Sequence, residues 1–183
     1  MQISNLSIPG LLQIVPRRFP DARGFFSELY NGRIFKEAGI ADVFVQENFS
    51  RSSNVGTVRG LHFQTSPHAQ AKLVRVSRGR IFDVALDLRQ SSATFGQHVS
   101  VELSADNGHQ LYIPAGFAHG FCTLEPDTEI VYKVSSYYAP QAEGGVLWSD
   151  TALKIDWPVT PQNATVSEKD ERLPLLKDAP PVF

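Results

Sequence analysis

Two segments of the sequence set an imidazole among small and apolar neighbours: Arg59-Gly60-Leu61-His62-Phe63-Gln64 and Ile113-Pro114-Ala115-Gly116-Phe117-Ala118-His119-Gly120-Phe121. Gln70-Ala71-Lys72-Leu73-Val74 follows the first, and Tyr132 lies in the apolar run Ile130 to Val134. An imidazole with an ordinary pKa of about 6.5 is too weak to deprotonate the carbon beside a ketone unaided. The oxygen on which the charge develops must meet a fixed positive donor, a contribution of about 3–4 kcal/mol. His62 suits the base and Lys72 suits the donor on the oxygen. Tyr132 suits an acid that returns a proton from the opposite face. Each also has a plainer reading, the histidines as satisfied core groups and Tyr132 as a strand aromatic packing the interior.

The order Pro114, Gly116, His119 resembles the second motif of the cupin barrels, in which the turn aims the histidine into the barrel mouth. A metal-binding cupin supplies His-x-His and then a glutamate from its first motif. Here Gln64 follows His62, and Lys72 stands where the glutamate would be. An ammonium has no lone pair to donate and repels a divalent ion. Two imidazoles fall short of the usual three protein ligands of a catalytic metal. The site therefore reads as one without metal.

The elements that must position these groups read as strands. Val43 to Val45, Leu73 to Val76, Ile81 to Leu86, Val99 to Leu103, Gln110 to Ile113 and Ile130 to Val134 are rich in β-branched and aromatic residues. Ser77 to Arg80 reads as a hairpin turn. Helical character is confined to Gly32 to Ala38, with one more short turn near Ser167 to Arg172. Closely spaced strands with so little helix predict an all-β fold, a cupin or jelly-roll barrel. The expectation is a single domain over residues 1–183, with a proline-rich tail from about Leu173 lying on the surface or along the barrel.

A chain of 183 residues with a formal net charge of −2 has no general affinity for nucleic acid or an anionic membrane. An anionic ligand must then be met by a local basic cluster. One cysteine, Cys122, permits no internal disulfide and reads as a buried, inert thiol in a reducing compartment. No targeting leader and no spanning apolar stretch are expected, which points to the cytoplasm. No dinucleotide-binding glycine pattern, P-loop, nucleophile elbow or paired C-x-x-C occurs.

Taken together, the motifs resemble those of the dTDP-4-dehydrorhamnose 3,5-epimerases, cupin-fold sugar-nucleotide epimerases. Besides the segments above, the likeness includes Asp21-Ala22-Arg23-Gly24-Phe25-Phe26, Phe44-Val45-Gln46-Glu47-Asn48, Phe82-Asp83-Val84-Ala85-Leu86-Asp87-Leu88-Arg89, Tyr137-Tyr138-Ala139-Pro140 and Ser167-Glu168-Lys169-Asp170. The resemblance implies epimerisation at C3 and C5 of dTDP-4-dehydro-6-deoxy-D-glucose without metal or organic cofactor. It implies His62 as base, Tyr132 as acid, Lys72 beside the C4 oxygen and Asp170 paired with the base. It further implies diphosphate contacts from Arg23 and Arg59, polar contacts from Glu28, Gln46, Glu47 and Asn48, and stacking of the base on Tyr138. His119, Glu143 and Lys169 match further substrate contacts, and a homodimer is implied. Departures such as Ser91-Ser92-Ala93-Thr94 and Trp148-Ser149-Asp150-Thr151 fall away from the proposed base and acid. Single-centre epimerisation, 3,4-ketoisomerisation, a metal-dependent cupin enzyme and a non-catalytic sugar-nucleotide-binding module are the competing expectations.

Overall fold

Glycine and proline punctuate the β-prone runs along the chain, and strands form between them. The computed structural model describes residues 1–180 and 182–183. In chain order the elements are β1 (Gln2–Asn5), β2 (Leu12–Val15), β3 (Arg18–Asp21), β4 (Gly24–Ser27), α1 (Gly32–Glu37), β5 (Gln46–Ser52), β6 (Val58–Gln64) and β7 (Lys72–Arg78). There follow β8 (Arg80–Asp87), β9 (His98–Ser104), β10 (Gln110–Ile113), β11 (Phe117–Thr123), β12 (Thr128–Val134), β13 (Glu143–Gly145) and α2 (Glu168–Glu171).

Two antiparallel sheets carry the fold. One has the order β1-β2-β10-β7-β12-β5 and the other β13-β6-β11-β8-β9, while β3 and β4 form a separate hairpin. The sheets face each other over a shared core. Val74, Val76, Leu111, Ile113 and Ile130 of the first interlock with Ile81, Ala85, Val99, Leu103, Phe117 and Phe121 of the second. Each of the larger side chains, fully buried, contributes roughly 1.5–3 kcal/mol. This is the jelly-roll arrangement of the cupins, and the all-β expectation holds.

The second sheet is covered on its outer face as well. Leu61, Phe63, Val84, Leu86 and Ala118 pack there against Leu176, Ala179, Val182 and Phe183 of the C-terminal tail. The tail thus lies along the barrel; its Pro181 falls outside the described residues. Coverage on both faces explains why every residue of β11 is buried and why its sequence runs without polar alternation.

The expected strands from Leu73 to Val134 appear as parts of β7, β8, β9, β10 and β12. Asn31 caps α1 by accepting from the Arg33 and Ile34 amides, and Ser167 caps α2. One expected strand is absent. Val43 to Val45 is irregular, and β5 begins only at Gln46, where the β12 ladder starts opposite Val134. β-propensity without a partner strand does not make a strand. No helix among the described residues is long and apolar enough to cross a membrane. Cys122 is buried, and burial pushes its thiol up to about 11, so it is no nucleophile at neutral pH.

Candidate active site

His62 and His119 are direct cross-strand partners in β6 and β11. The sequence suggested that a turn presents His119, but it sits mid-strand, after the Pro-Ala-Gly turn has closed. Gly60 makes the close strand contact possible. Its φ is +122°, and a Cβ there would lie 2.6 Å from the Cα of Gly120.

The Gly60 amide donates to Asp170 Oδ2 at 3.0 Å, and Asp170 Oδ1 lies 2.8 Å from His62 Nε2. Burial works to raise the Asp170 pKa. Hydrogen bonds from His62, the Gly60 amide and Ser167 outweigh it and hold the group below the ordinary carboxylate range. An ionised carboxylate can only accept, so Nε2 of His62 carries the proton. The lone pair of the neutral ring then lies on Nδ1. Asp170, a surface charge in a bare sequence reading, is 4% exposed.

Lys72 starts β7 in the opposite sheet, and its Nζ donates to the His62 carbonyl at 3.3 Å. Burial drives its pKa down to about 8, against the opposing pull of Asp83 and Glu143. At neutral pH it is an ammonium held with little water, where its field is strongest. Tyr132, on β12 beside β7, is raised by burial, with Arg59 and an Asn48 hydrogen bond drawing it partly back. Its phenol keeps its proton at neutral pH.

A cavity of about 510 Å³ is lined by His62, Lys72, His119, Tyr132, Arg59, Lys169 and Asp170, with Ser50 and Phe121 among its other walls. A second lobe of about 350 Å³ shares His62, Lys72 and Tyr132 and continues to Gln46, Asn48, Tyr138 and Glu143. Side chains along β5 alternate, so Gln46, Asn48 and Ser50 share the face turned to the cavity. Glu47 is on the other face, in an ion pair with Lys133. At the rim, Tyr138 Oη donates to Glu143 at 3.0 Å and Lys169 pairs with Glu143 at 2.6 Å. Arg23 is bonded to Asp21 on the exposed β3–β4 hairpin, and Glu28 follows that hairpin. Arg23, Glu28 and Glu47 line neither lobe of their own chain. Among the described residues, no three His, Cys, Asp or Glu side chains converge as metal ligands.

The model of one family, dTDP-4-dehydrorhamnose 3,5-epimerase, matches residues 5–178. The chain belongs to that family. A dTDP-4-dehydrorhamnose 3,5-epimerase of Shigella flexneri is 50% identical over 171 residues, 93% of each chain. A crystal structure of the Bacillus anthracis epimerase with TDP and PPi bound superposes with a TM-score of 0.92 at 48% identity, covering 95% of this chain and 98% of that one. The Legionella pneumophila epimerase in complex with dTDP-4-keto-L-rhamnose gives 0.92 at 45% identity, covering 98% and 94%.

Within this epimerase frame, two residues beside the site were given no role by sequence reasoning. Asp83 accepts from His119 Nε2 at 2.9 Å from wholly within the core. Gln64, at the place of a cupin metal ligand, accepts from the Ala139 amide at 2.8 Å and donates to the carbonyls of His68 and Tyr137. It thereby fixes the loop that carries Tyr138. Both lie within quoted motifs, but only strand register and loop path reveal their partners.

Proposed function

We propose that this epimerase inverts C3 and C5 of dTDP-4-dehydro-6-deoxy-D-glucose through enolates at the C4 ketone, giving dTDP-4-dehydro-L-rhamnose. The observation that carries the reading is the placement of His62 and Tyr132 on opposing sheets of one cavity, with Lys72 beside them. His62 Nδ1 takes the proton from the carbon beside the ketone, and the C–H electron pair moves into the carbonyl. The Lys72 ammonium meets the charge on the C4 oxygen. Tyr132 then delivers its proton to the opposite face of that carbon, and both groups reset through solvent. The cycle repeats at the second carbon.

The nucleotide handle follows from the same walls. Arg59 and Lys169 bring cations to the lobe in a chain of net charge −2, and guanidinium and ammonium groups suit a diphosphate. Tyr138, 54% exposed at the rim, offers its face to the base. Gln46, Asn48, His119 and Glu143 supply polar contacts. The active form is a homodimer. Phe19, Phe25 and Phe26 are exposed on the β3–β4 hairpin, an apolar face that a second copy would cover. Arg23 and Glu28 ride on or beside that hairpin, and in a dimer they are free to complete the partner's site. The buried thiol of Cys122 suits the reducing cytoplasm.

Incubation of the sugar nucleotide in deuterated water with EDTA, followed by NMR, tests the reaction. The expected result is deuterium at both C3 and C5 and the L-rhamno configuration. Label at one carbon alone would assign a single-centre epimerase. Loss of turnover on chelation would assign a metal enzyme.

A further inference from the structure

Asp83 has no solvent contact, and among the described residues its Oδ1 is the one buried side-chain polar atom without a hydrogen-bond partner. A carboxylate so placed costs several kcal/mol of hydration unless neighbouring charge offsets it. The surrounding strand is Ile81, Phe82, Val84, Ala85 and Leu86. Nothing in the packing of such a strand calls for a charge at its middle.

The register shows what the charge touches. Asp83 is opposite Phe121 and Ala85 is opposite His119, so Asp83 and His119 are diagonal neighbours on one face of the β8–β11 pair. Asp83 Oδ2 lies 2.9 Å from His119 Nε2. His119 and Lys72 line the same cavity, and the field of Asp83 reaches the ammonium. Lys72 donates to the His62 carbonyl, and other charged or titratable groups of its cavity are Arg59 and His62 on β6, Tyr132 on β12, Glu143 on β13, and Lys169 and Asp170 on α2. Asp170 is committed to His62, and Glu143 to Lys169 and Tyr138. Asp83 is the carboxylate left with an unpartnered oxygen, and its charge acts on the Lys72 ammonium.

We propose that Asp83 is a positioning residue for the epimerisation: it holds the His119 ring by its Nε2–H and stands as the fixed counter-charge of the Lys72 ammonium. The role rests on the proton-transfer reading of the same site. With Nε2–H engaged by the carboxylate, the lone pair of an uncharged His119 ring is on Nδ1. Lys72, already lowered to about 8 by burial, depends on its acidic neighbours to remain charged. Removing the Asp83 charge lets the ammonium lose its proton at lower pH.

Asp83→Asn keeps the shape and deletes the charge. In a protein whose wild type turns over the dTDP-4-dehydro sugar, D83N is expected to lower kcat roughly ten- to a hundredfold with little change in KM. The alkaline limb of kcat/KM is expected to move acidward by roughly one pH unit. Asp83→Glu is expected to restore part of the rate. A D83N enzyme with unaltered kcat and an unmoved limb overturns the role and leaves the reaction standing. A wild type that does not turn over the sugar removes the reaction, and this role with it. Should D83N not fold, nitrogen-15 NMR of the wild-type protein decides instead: the neutral His119 ring is expected to carry its proton on Nε2, and the Nδ1–H tautomer overturns the role.

Discussion

His62 and Tyr132 enter one cavity from opposite sheets, the first from β6 and the second from β12. In the proposed reaction a sugar ring bound between them would have one face toward the imidazole and the other toward the phenol. Inversion needs that arrangement, because a proton returned by the group that removed it restores the original configuration.

In the proposed mechanism, replacing His62 by Ala removes the base and leaves the nucleotide contacts. The expected loss in kcat is at least about a thousandfold, with exchange at both carbons abolished and TDP affinity within a few-fold of wild type. Titration calorimetry with TDP checks the second half. A variant that retains exchange at either carbon would show that another group removes the proton there.

Tyr132→Phe separates the two half-reactions. His62 and Lys72 still generate the enolate, so deuterium enters from solvent, but it returns from the imidazole side. The expected signature is continued exchange with product formation reduced by about a hundredfold or more. Equal loss of exchange and inversion would make Tyr132 a group needed for abstraction too.

Lys72 couples activity to pH in a calculable direction. Its folded pKa is about 8, against 10.5 for an ordinary lysine. The charged form is required, so kcat/KM is expected to fall above about pH 8. Between those two values the unfolded chain binds the extra proton, so stability rises with pH through that window. Below it the buried charge is a constant cost. Lys72→Met is expected to abolish turnover and to raise stability at pH 7 by roughly 1–2 kcal/mol, since each pKa unit is worth about 1.4 kcal/mol and some is returned when Asp83 loses its counter-charge. Thermal melts at pH 7 and pH 10 measure both effects, and a melting point that drops at pH 7 contradicts them.

Arg23 reports on assembly. Light scattering is expected to give twice the chain mass of 20.2 kDa. Arg23→Ala is expected to raise KM about tenfold or more through a lost diphosphate contact, with kcat nearly unchanged. A monomeric, fully active protein would dismiss the dimer, and an unchanged KM would dismiss the contact.

The chemical kinds of group in the candidate site are legible in the sequence. His62, Lys72 and Tyr132 differ chemically from the apolar strands around them, and electrostatics alone pairs a weak base with a cation at the developing oxyanion. The motifs named Asp170 only through resemblance, because in a bare sequence it is one acidic residue among several near a short helix. Its burial under Gly60 comes from a segment more than a hundred residues away in the chain. Val43 to Val45 marks the opposite failure, where propensity suggested a strand but of the three only the Val45 amide bonds to β12, donating to the Val134 carbonyl.

By itself the sequence determined the all-β architecture and the chemical kinds of group available, since these follow from side-chain chemistry and short-range pattern. Tertiary structure alone decided that His62 and Tyr132 line one cavity from opposite sheets, that Asp83 meets His119, that Glu47 turns away from the cavity and that Arg23 lines neither lobe of it. The physical reason is register. A shift of one residue along a strand moves a side chain to the other face, and which face is inside depends on partner strands that lie far off in the chain.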